Sequence, residues 1–498
     1  MTRYAKTLVG LAASLCALGL APIAQASADS TQPGSATHRP GGIAHRTPAP
    51  AGPRTWHVLI GGQSEHQAVQ AEGYYPHVIT IDTGDTITWT LNTDESHSVT
   101  FTGTCQKLSC VPKCFPSSDI SPCGPPRYNG VTAVDSSGRM IVPGYNWDNA
   151  FRHGGTTYSL TFTRPGADVY FDLSVAGMRG VVVVHPAGTP YPFTQAQYSK
   201  QAKQQLKADL AAGKQAKEGF RPVTAVTRAD GTHLYHVALG ANPPEVAGLA
   251  LSPASGSGVR GRARLTEPGA GSSPNPAVTV RVRLSGLVPG SVHAMQILPG
   301  VCGAPAPTTG LIFSGVFVPP AFTLNSVTAG PDGTATSTTV LTEPPNNSAA
   351  GLLRIPSTGW FVNVAAGPAP DNGATSYACG NVVYHNAAVM RYGPPNLHMR
   401  VGDTVTWADH SANEVHGVTF LAGTPLPLIP DWIFSTPTPG TTYDGSTFFN
   451  SGALYMADAP GRDHSLTLTL TKAGRFGYLD VADTILGMRG NLIVRPSP

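Results

Sequence analysis

Short runs of alternating apolar and polar residues, closed by glycine turns, recur along most of this chain. Val78-Ile79-Thr80-Ile81, a Gly84-Asp85 turn and Thr86-Ile87-Thr88-Trp89 set the pattern. A period of two bounded by turn residues predicts strands with one buried face. Val278-Thr279-Val280-Arg281-Val282-Arg283-Leu284 and Trp360-Phe361-Val362-Asn363-Val364 repeat it in the middle of the chain. A helical period stands out from Thr194 to Gly213. There Thr194 and Gln197 form a capping box, Tyr198, Ala202, Leu206 and Leu210 make a stripe, and Gly213 can close the end. Lys200, Lys203 and Lys207 read as the solvated face of that helix. The pattern predicts an all-β fold of sandwiches with one linker helix.

Two regions offset by about 320 residues carry the same landmarks in the same order. Gly84-Asp85-Thr86-Ile87-Thr88-Trp89 answers Gly402-Asp403-Thr404-Val405-Thr406-Trp407, and His97-Ser98-Val99-Thr100-Phe101 answers His416-Gly417-Val418-Thr419-Phe420. Tyr128-Asn129-Gly130 answers Tyr443-Asp444-Gly445, and Gly177-Met178-Arg179-Gly180 answers Gly487-Met488-Arg489-Gly490. Each region is expected to be one copy of a duplicated domain. The expected organisation is a signal peptide at 1–28, a flexible leader at 29–53, a first repeat at 54–190 with an insertion, a helical linker at 191–232, a different β-domain at 233–386 and a second repeat at 387–498.

Composition narrows the class. Charged residues are only 12% of the chain, against 56 glycines and 46 prolines, which suits turn-rich β-domains and not a bundle or coiled coil. The formal net charge of +3 offers no basic field, so a nucleic-acid partner is not expected. Arg3 and Lys6, an apolar run from Leu8 to Leu20 and Ala26-Ser27-Ala28 read as an export signal cleaved after Ala28, giving a secreted protein. No other long apolar run occurs, so no membrane span is expected. Beyond Cys16, six cysteines remain, an even set for an oxidising compartment. Cys302 and Cys379 are expected to pair because Cys105, Cys110, Cys114 and Cys123 crowd into one short stretch, within which three pairings stay open.

The paired landmarks resemble the cupredoxins, the plastocyanin-like Greek-key β-sandwiches, over essentially the whole of each repeat. In that family the His of the His-x-Val-x-Phe strand is the first copper ligand, and a later Cys, His and Met supply the others. The resemblance implies that His97 and His416 keep the first ligand place and Met178 and Met488 the axial one. The central places differ. Asp172 and Asp480 stand where the thiolate belongs, and Val175 and Asp483 where the second His belongs. Copper of the blue, electron-shuttling kind needs that thiolate. The expected metal set is therefore His416, Asp480, Asp483 and Met488, with His97, Asp172 and Met178 a poorer one, for copper or another divalent ion bound weakly at most.

The middle region resembles the CHRD family, whose sandwiches look distantly like copper-zinc superoxide dismutase, through Gly240-Ala241-Asn242-Pro243-Pro244-Glu245-Val246, Leu284-Ser285-Gly286-Leu287, His293-Ala294-Met295, Cys302-Gly303 and Cys379-Gly380-Asn381-Val382. A Cys302–Cys379 bridge also suits that family. The implied fold is two cupredoxin-like sandwiches flanking a CHRD-like one. Multicopper oxidases share the fold but need His-x-His and His-Cys-His runs that this chain lacks, so no enzyme is expected. The leading expectation is a secreted, non-catalytic cupredoxin-like protein. The rival is an extracellular structural or interaction protein presenting the Cys105–Arg152 loop, with Tyr145, Trp147 and Phe151, to a partner that the sequence does not identify.

Overall fold

Each Gly-Asp landmark is a tight turn leading into a central strand. Gly84 and Gly402 take φ of +98° and +92°, a region open to glycine and costly for other residues. The next carboxylate locks the turn: Asp85 accepts from the Arg54 and Asp82 amides and from Trp56 Nε1 at 2.7, 3.0 and 2.8 Å. Asp403 does the same for the His233 and Arg400 amides at 2.8 and 2.7 Å. The computed structural model describes residues 52–101, 128–130, 140–141, 157–220, 224–266, 277–299, 302, 322–341, 358–368, 376–427, 436–455 and 463–497, apart from a few interior positions. The expected signal, the expected leader up to residue 51, the four crowded cysteines and most of the Cys105–Arg152 loop lie outside the described residues.

The described chain is nearly all β, with one helix. In the first sandwich, one sheet runs Ala387–Val389, Val69–Tyr75, Thr55–Gln63, Thr86–Leu91, Thr157–Phe162, Tyr128–Gly130. The other runs Val78–Asp82, Arg179–His185, Gly166–Phe171, Val99–Phe101, Met140–Ile141. The second sandwich mirrors it, with Val226–Thr227, His233–Leu239, Thr404–Asp409, Ser465–Leu470 and Thr442–Tyr443 in one sheet. Asn396–Arg400, Arg489–Arg495, Gly474–Leu479, Thr419–Phe420 and Phe449–Asn450 form its second sheet. Trp89 and Trp407 lie fully buried at equivalent points, each edge-on to a buried tyrosine, Tyr170 and Tyr478, at 5.3 and 5.4 Å. Tyr74 and Tyr392 cover those tyrosines from the other side at 4.5 and 4.7 Å.

One boundary moves. His233–Leu239, placed from sequence in the middle domain, pairs in parallel with Thr404–Asp409, as Thr55–Gln63 pairs in parallel with Thr86–Leu91. The second sandwich therefore starts before the middle unit, which is inserted between its first strand and Ala387. A strand's alternation reads alike in any sandwich, and the landmarks that mark this repeat begin only at Gly402. The inserted unit is one eight-stranded sheet whose core comes from residues between Ala247 and Val382. Its end strands, Phe322–Thr328 and Ala335–Leu341, meet through Asn325, whose amide donates to Thr339 Oγ1 at 2.8 Å, giving a barrel-like form. Cys302 and Cys379 are bridged, with Cα atoms 5.4 Å apart.

The helix spans Gln195–Glu218, with the capping box of Thr194 and Gln197 in place. It packs on the first repeat: Tyr198 Oη accepts from the Thr80 amide at 2.8 Å, and Asp209 accepts from Tyr75 Oη at 2.6 Å. Gly213 does not end it. A Cβ there would stand 2.4 Å from Val69 Cγ1, so this glycine permits close helix–strand approach, and the chain leaves the helix at Gly219.

The two repeats meet through equivalent strands. Val69 faces Val389, Gln70 faces Ala388 and Ala71 faces Ala387 in an antiparallel pair. With Tyr74 equivalent to Tyr392, Val69 corresponds to Ala387 and Ala71 to Val389. The pairing thus has a local two-fold centred on Gln70 and Ala388, the geometry of an isologous dimer written into one chain.

Candidate functional site

The second repeat's candidate residues come from three places. His416 precedes the strand Thr419–Phe420, Asp480 follows Gly474–Leu479, and Asp483 lies in the turn leading to Arg489–Arg495. The imidazole of His416 is wholly buried and its Nδ1 stands 3.0 Å from Asp483 Oδ2 and 3.5 Å from Asp480 Oδ2. Asp480 is anchored by backbone: its Oδ2 accepts from Gly417 N at 2.6 Å and its Oδ1 from Ala482 N at 2.8 Å. One oxygen from each carboxylate and one His416 nitrogen lie within 4.8 Å of one another. Met488 is buried in the same core, and its amide donates to Asp483 O at 3.1 Å. Burial pulls the His416 pKa down, but the bonds to Asp480 and Asp483 outweigh it and hold it well above the usual imidazole value. A third buried carboxylate, Asp409, is pushed up to about 7, chiefly by burial.

The first repeat repeats the device with fewer groups. His97 Nδ1 stands 3.2 Å from Asp172 Oδ2, and Asp172 Oδ1 accepts from Val175 N at 2.9 Å. Met178 is buried in the core beside them. Burial lowers the His97 pKa, but Glu95 and Asp172 overcome this and raise it to about 10. In both repeats, therefore, a carboxylate standing in one of the changed ligand places engages Nδ1 of the landmark histidine: Asp172, in the expected thiolate place, at His97, and Asp483, in the expected second-histidine place, at His416. Backbone approaches the far side of each ring: a Cβ on Gly61 or Gly240, at φ of +63° and +62°, would fall 2.8 or 2.4 Å from the Nε2 of His97 or His416.

The donor set decides which metal fits. One imidazole nitrogen and two carboxylate oxygens at His416 suit a divalent ion of hard to borderline character, copper(II) included. They do not suit a thiolate-centred redox copper, since residues 172 and 480 are aspartates and the cysteines among the described residues are tied in the Cys302–Cys379 bridge.

Three groups were not singled out from sequence. Glu72, Glu95 and Glu414 bring their carboxylates within 4.8 Å of one another where the repeats meet. A signal for two of them exists, because a glutamate stands two residues before the landmark histidine in each repeat. Burial, then repulsion from Glu95 and Glu72, pushes the Glu414 carboxyl well above the usual range.

No protein-family model matches the chain. It is 34% identical over 76 residues to amicyanin of Paracoccus denitrificans, covering 15% of this chain and 57% of amicyanin. Among solved structures, the copper(I) form of a methionine-to-alanine mutant of amicyanin is 27% identical, covering 21% of this chain and 74% of its own, with a TM-score of 0.15. Amicyanin from Paracoccus versutus is 19% identical, covering 29% and 96%, again with a TM-score of 0.15. The chain thus spans a little over half the length of the amicyanin it matches in sequence, and a segment of it is cupredoxin-like.

Proposed function

We propose that this chain is an exported, non-catalytic cupredoxin-like protein whose second repeat takes up one divalent cation, copper(II) among them, weakly and in exchange for the proton between His416 and its carboxylates. The convergence of His416 Nδ1, Asp480 and Asp483 carries this reading. Bound there, the ion would supply a structural cross-link and mild Lewis acidity. His416 and Asp483 would hold it, while Asp480, fixed by Gly417 N and Ala482 N, orients the pair. Export accords with the signal-like first 28 residues and with the described residues containing no helix long and apolar enough to cross a membrane. The middle unit is read as a structural insertion. Its His293 is held on both ring nitrogens, by Ser291 Oγ at 2.7 Å and Ala365 O at 2.9 Å.

Calorimetric titration of the full mature chain with copper(II) and zinc(II), with absorption spectra, tests this. The expected result is weak uptake without the strong blue thiolate band, with one ion lost in His416→Ala or Asp480→Asn. Uptake unchanged in His416→Ala would remove the metal from the proposal, and a blue band or oxidase turnover would overturn its non-catalytic character.

A further inference from the structure

The meeting of the two repeats builds a second cluster, away from the His416 pair. Glu72 comes from the strand Val69–Tyr75, Glu95 from the segment before His97, and Glu414 from the equivalent segment of the other repeat. Glu95 and Glu414 occupy matching positions, so the local two-fold that pairs Val69–Ala71 with Ala387–Val389 accounts for two like charges meeting. Like carboxylates buried within 4.8 Å repel, and burial strengthens the repulsion. An independent group points into the cluster: the wholly buried imidazole of His97 directs Nε2 at Glu95 Oε2, 3.5 Å away and outside hydrogen-bond reach. Its other nitrogen is already engaged by Asp172, which fixes the ring so that Nε2 faces Glu95, the arrangement in which a carboxylate orients a ligating histidine.

We propose that Glu72, Glu95 and Glu414 form an interdomain site for a divalent cation, tying the two repeats together, which His97 Nε2 joins by releasing its proton to solvent as the ion binds. Oxygen donors select hard ions, and one imidazole shifts the choice from calcium toward manganese(II) or zinc(II). Donors across such an ion lie roughly 4 to 4.6 Å apart, twice a bond of about 2.0–2.3 Å, and the three carboxylates already offer oxygens within 4.8 Å of one another, so closing them on an ion needs only a small movement. The ion would also supply positive charge where ligands of both repeats converge, so its loss should be felt in the stability of the whole chain.

The site is tested on the full mature chain with manganese(II), read by loss of the free-ion paramagnetic resonance signal and by thermal melting with and without chelator. The wild type is expected to bind one manganese(II) and to melt higher with it. Glu95→Gln and Glu414→Gln are each expected to weaken uptake at least tenfold and to abolish the rise in melting temperature. Asp480→Asn, which acts on the other site, is expected to leave both readouts unchanged, so the failure of one site is separable from that of the other. Glu414→Gln removes a like charge without touching the His97–Glu95 pair, so under chelator it should melt no lower than wild type, which keeps a loss of uptake from being a loss of fold. Manganese uptake equal in wild type and both glutamine variants, or a wild type that neither binds it nor responds to chelator, would overturn the proposal.

Discussion

His97 and His416 each sit fully buried with Nδ1 against a carboxylate. An imidazole in that setting is stable as the imidazolium, because taking away its proton would leave buried carboxylates facing a neutral ring. For His97 the folded value is about 10 against about 6.5 when exposed. The sign follows from proton linkage: a group whose value rises on folding contributes in full below its unfolded value, and that contribution is lost as pH climbs through the folded one. Unfolding free energy, measured by denaturant melts in chelator, is therefore expected to fall between about pH 6.5 and 10, by a few kcal/mol in order of magnitude for His97. His97→Gln should be less stable at pH 6.5 and show a shallower decline. An unchanged slope in that variant would mean that the Asp172 and Glu95 contacts carry no net ionic stabilisation. His416 pushes in the same direction, so the variant's slope should shrink without vanishing.

The helix shows how one residue type can mean two things in an element. Gly213 sits at a position where a sequence pattern allows a helix stop, yet the helix runs on through it, with Val69 and Ala387 packed where its side chain would be. Alanine there would gain about 1 kcal/mol of helix propensity. It would also place Cβ 2.4 Å from Val69 Cγ1 and 3.0 Å from Ala387 Cβ, and such overpacking costs roughly 1–3 kcal/mol. Overpacking should win: Gly213→Ala is expected to destabilise the chain in denaturant unfolding, and adding Val69→Ala should restore part of the loss, a non-additivity that marks contact. A stabilised Gly213→Ala would show instead that the helix lifts off its strand at little cost. The helix start was readable because a capping box is local chemistry, and the strands because a period of two between glycine turns is local geometry. The helix end was not, because it depends on Val69, far away in sequence. The same limit applies to the sites. His416, Asp480 and Asp483 could be placed together because the cupredoxin resemblance implies a shared site within one repeat, whereas Glu72 and Glu414 meet only through a strand pairing that no local pattern encodes.

At the scale of the molecule, two sandwiches of the same design face each other about a local two-fold, and a third unit hangs from one of them. The insertion leaves and returns at neighbouring points: Ala241 O accepts from Val389 N at 2.8 Å, and Asn242 Nδ2 donates to Ala387 O at 2.8 Å. Its core draws only on residues between Ala247 and Val382, and its Cys302–Cys379 bridge lies within that span. A unit with its own core and adjacent ends should be separable. Replacing residues 243–385 with a short Gly/Ser linker is therefore expected to leave a double sandwich that melts cooperatively and keeps the strand pair Val69–Ala71 with Ala387–Val389. The excision removes the His385 contact to Asp209, but Tyr75 Oη still holds that carboxylate at 2.6 Å, so a small loss of stability is expected and not collapse. The excised chain should also take up manganese(II) as the full chain does, since Glu72, Glu95 and Glu414 all lie outside the deleted span. Cooperative melting with normal uptake would make the inserted barrel dispensable to the paired repeats. A non-cooperative transition would mean instead that His233–Leu239 needs the inserted barrel to reach its place beside Thr404–Asp409.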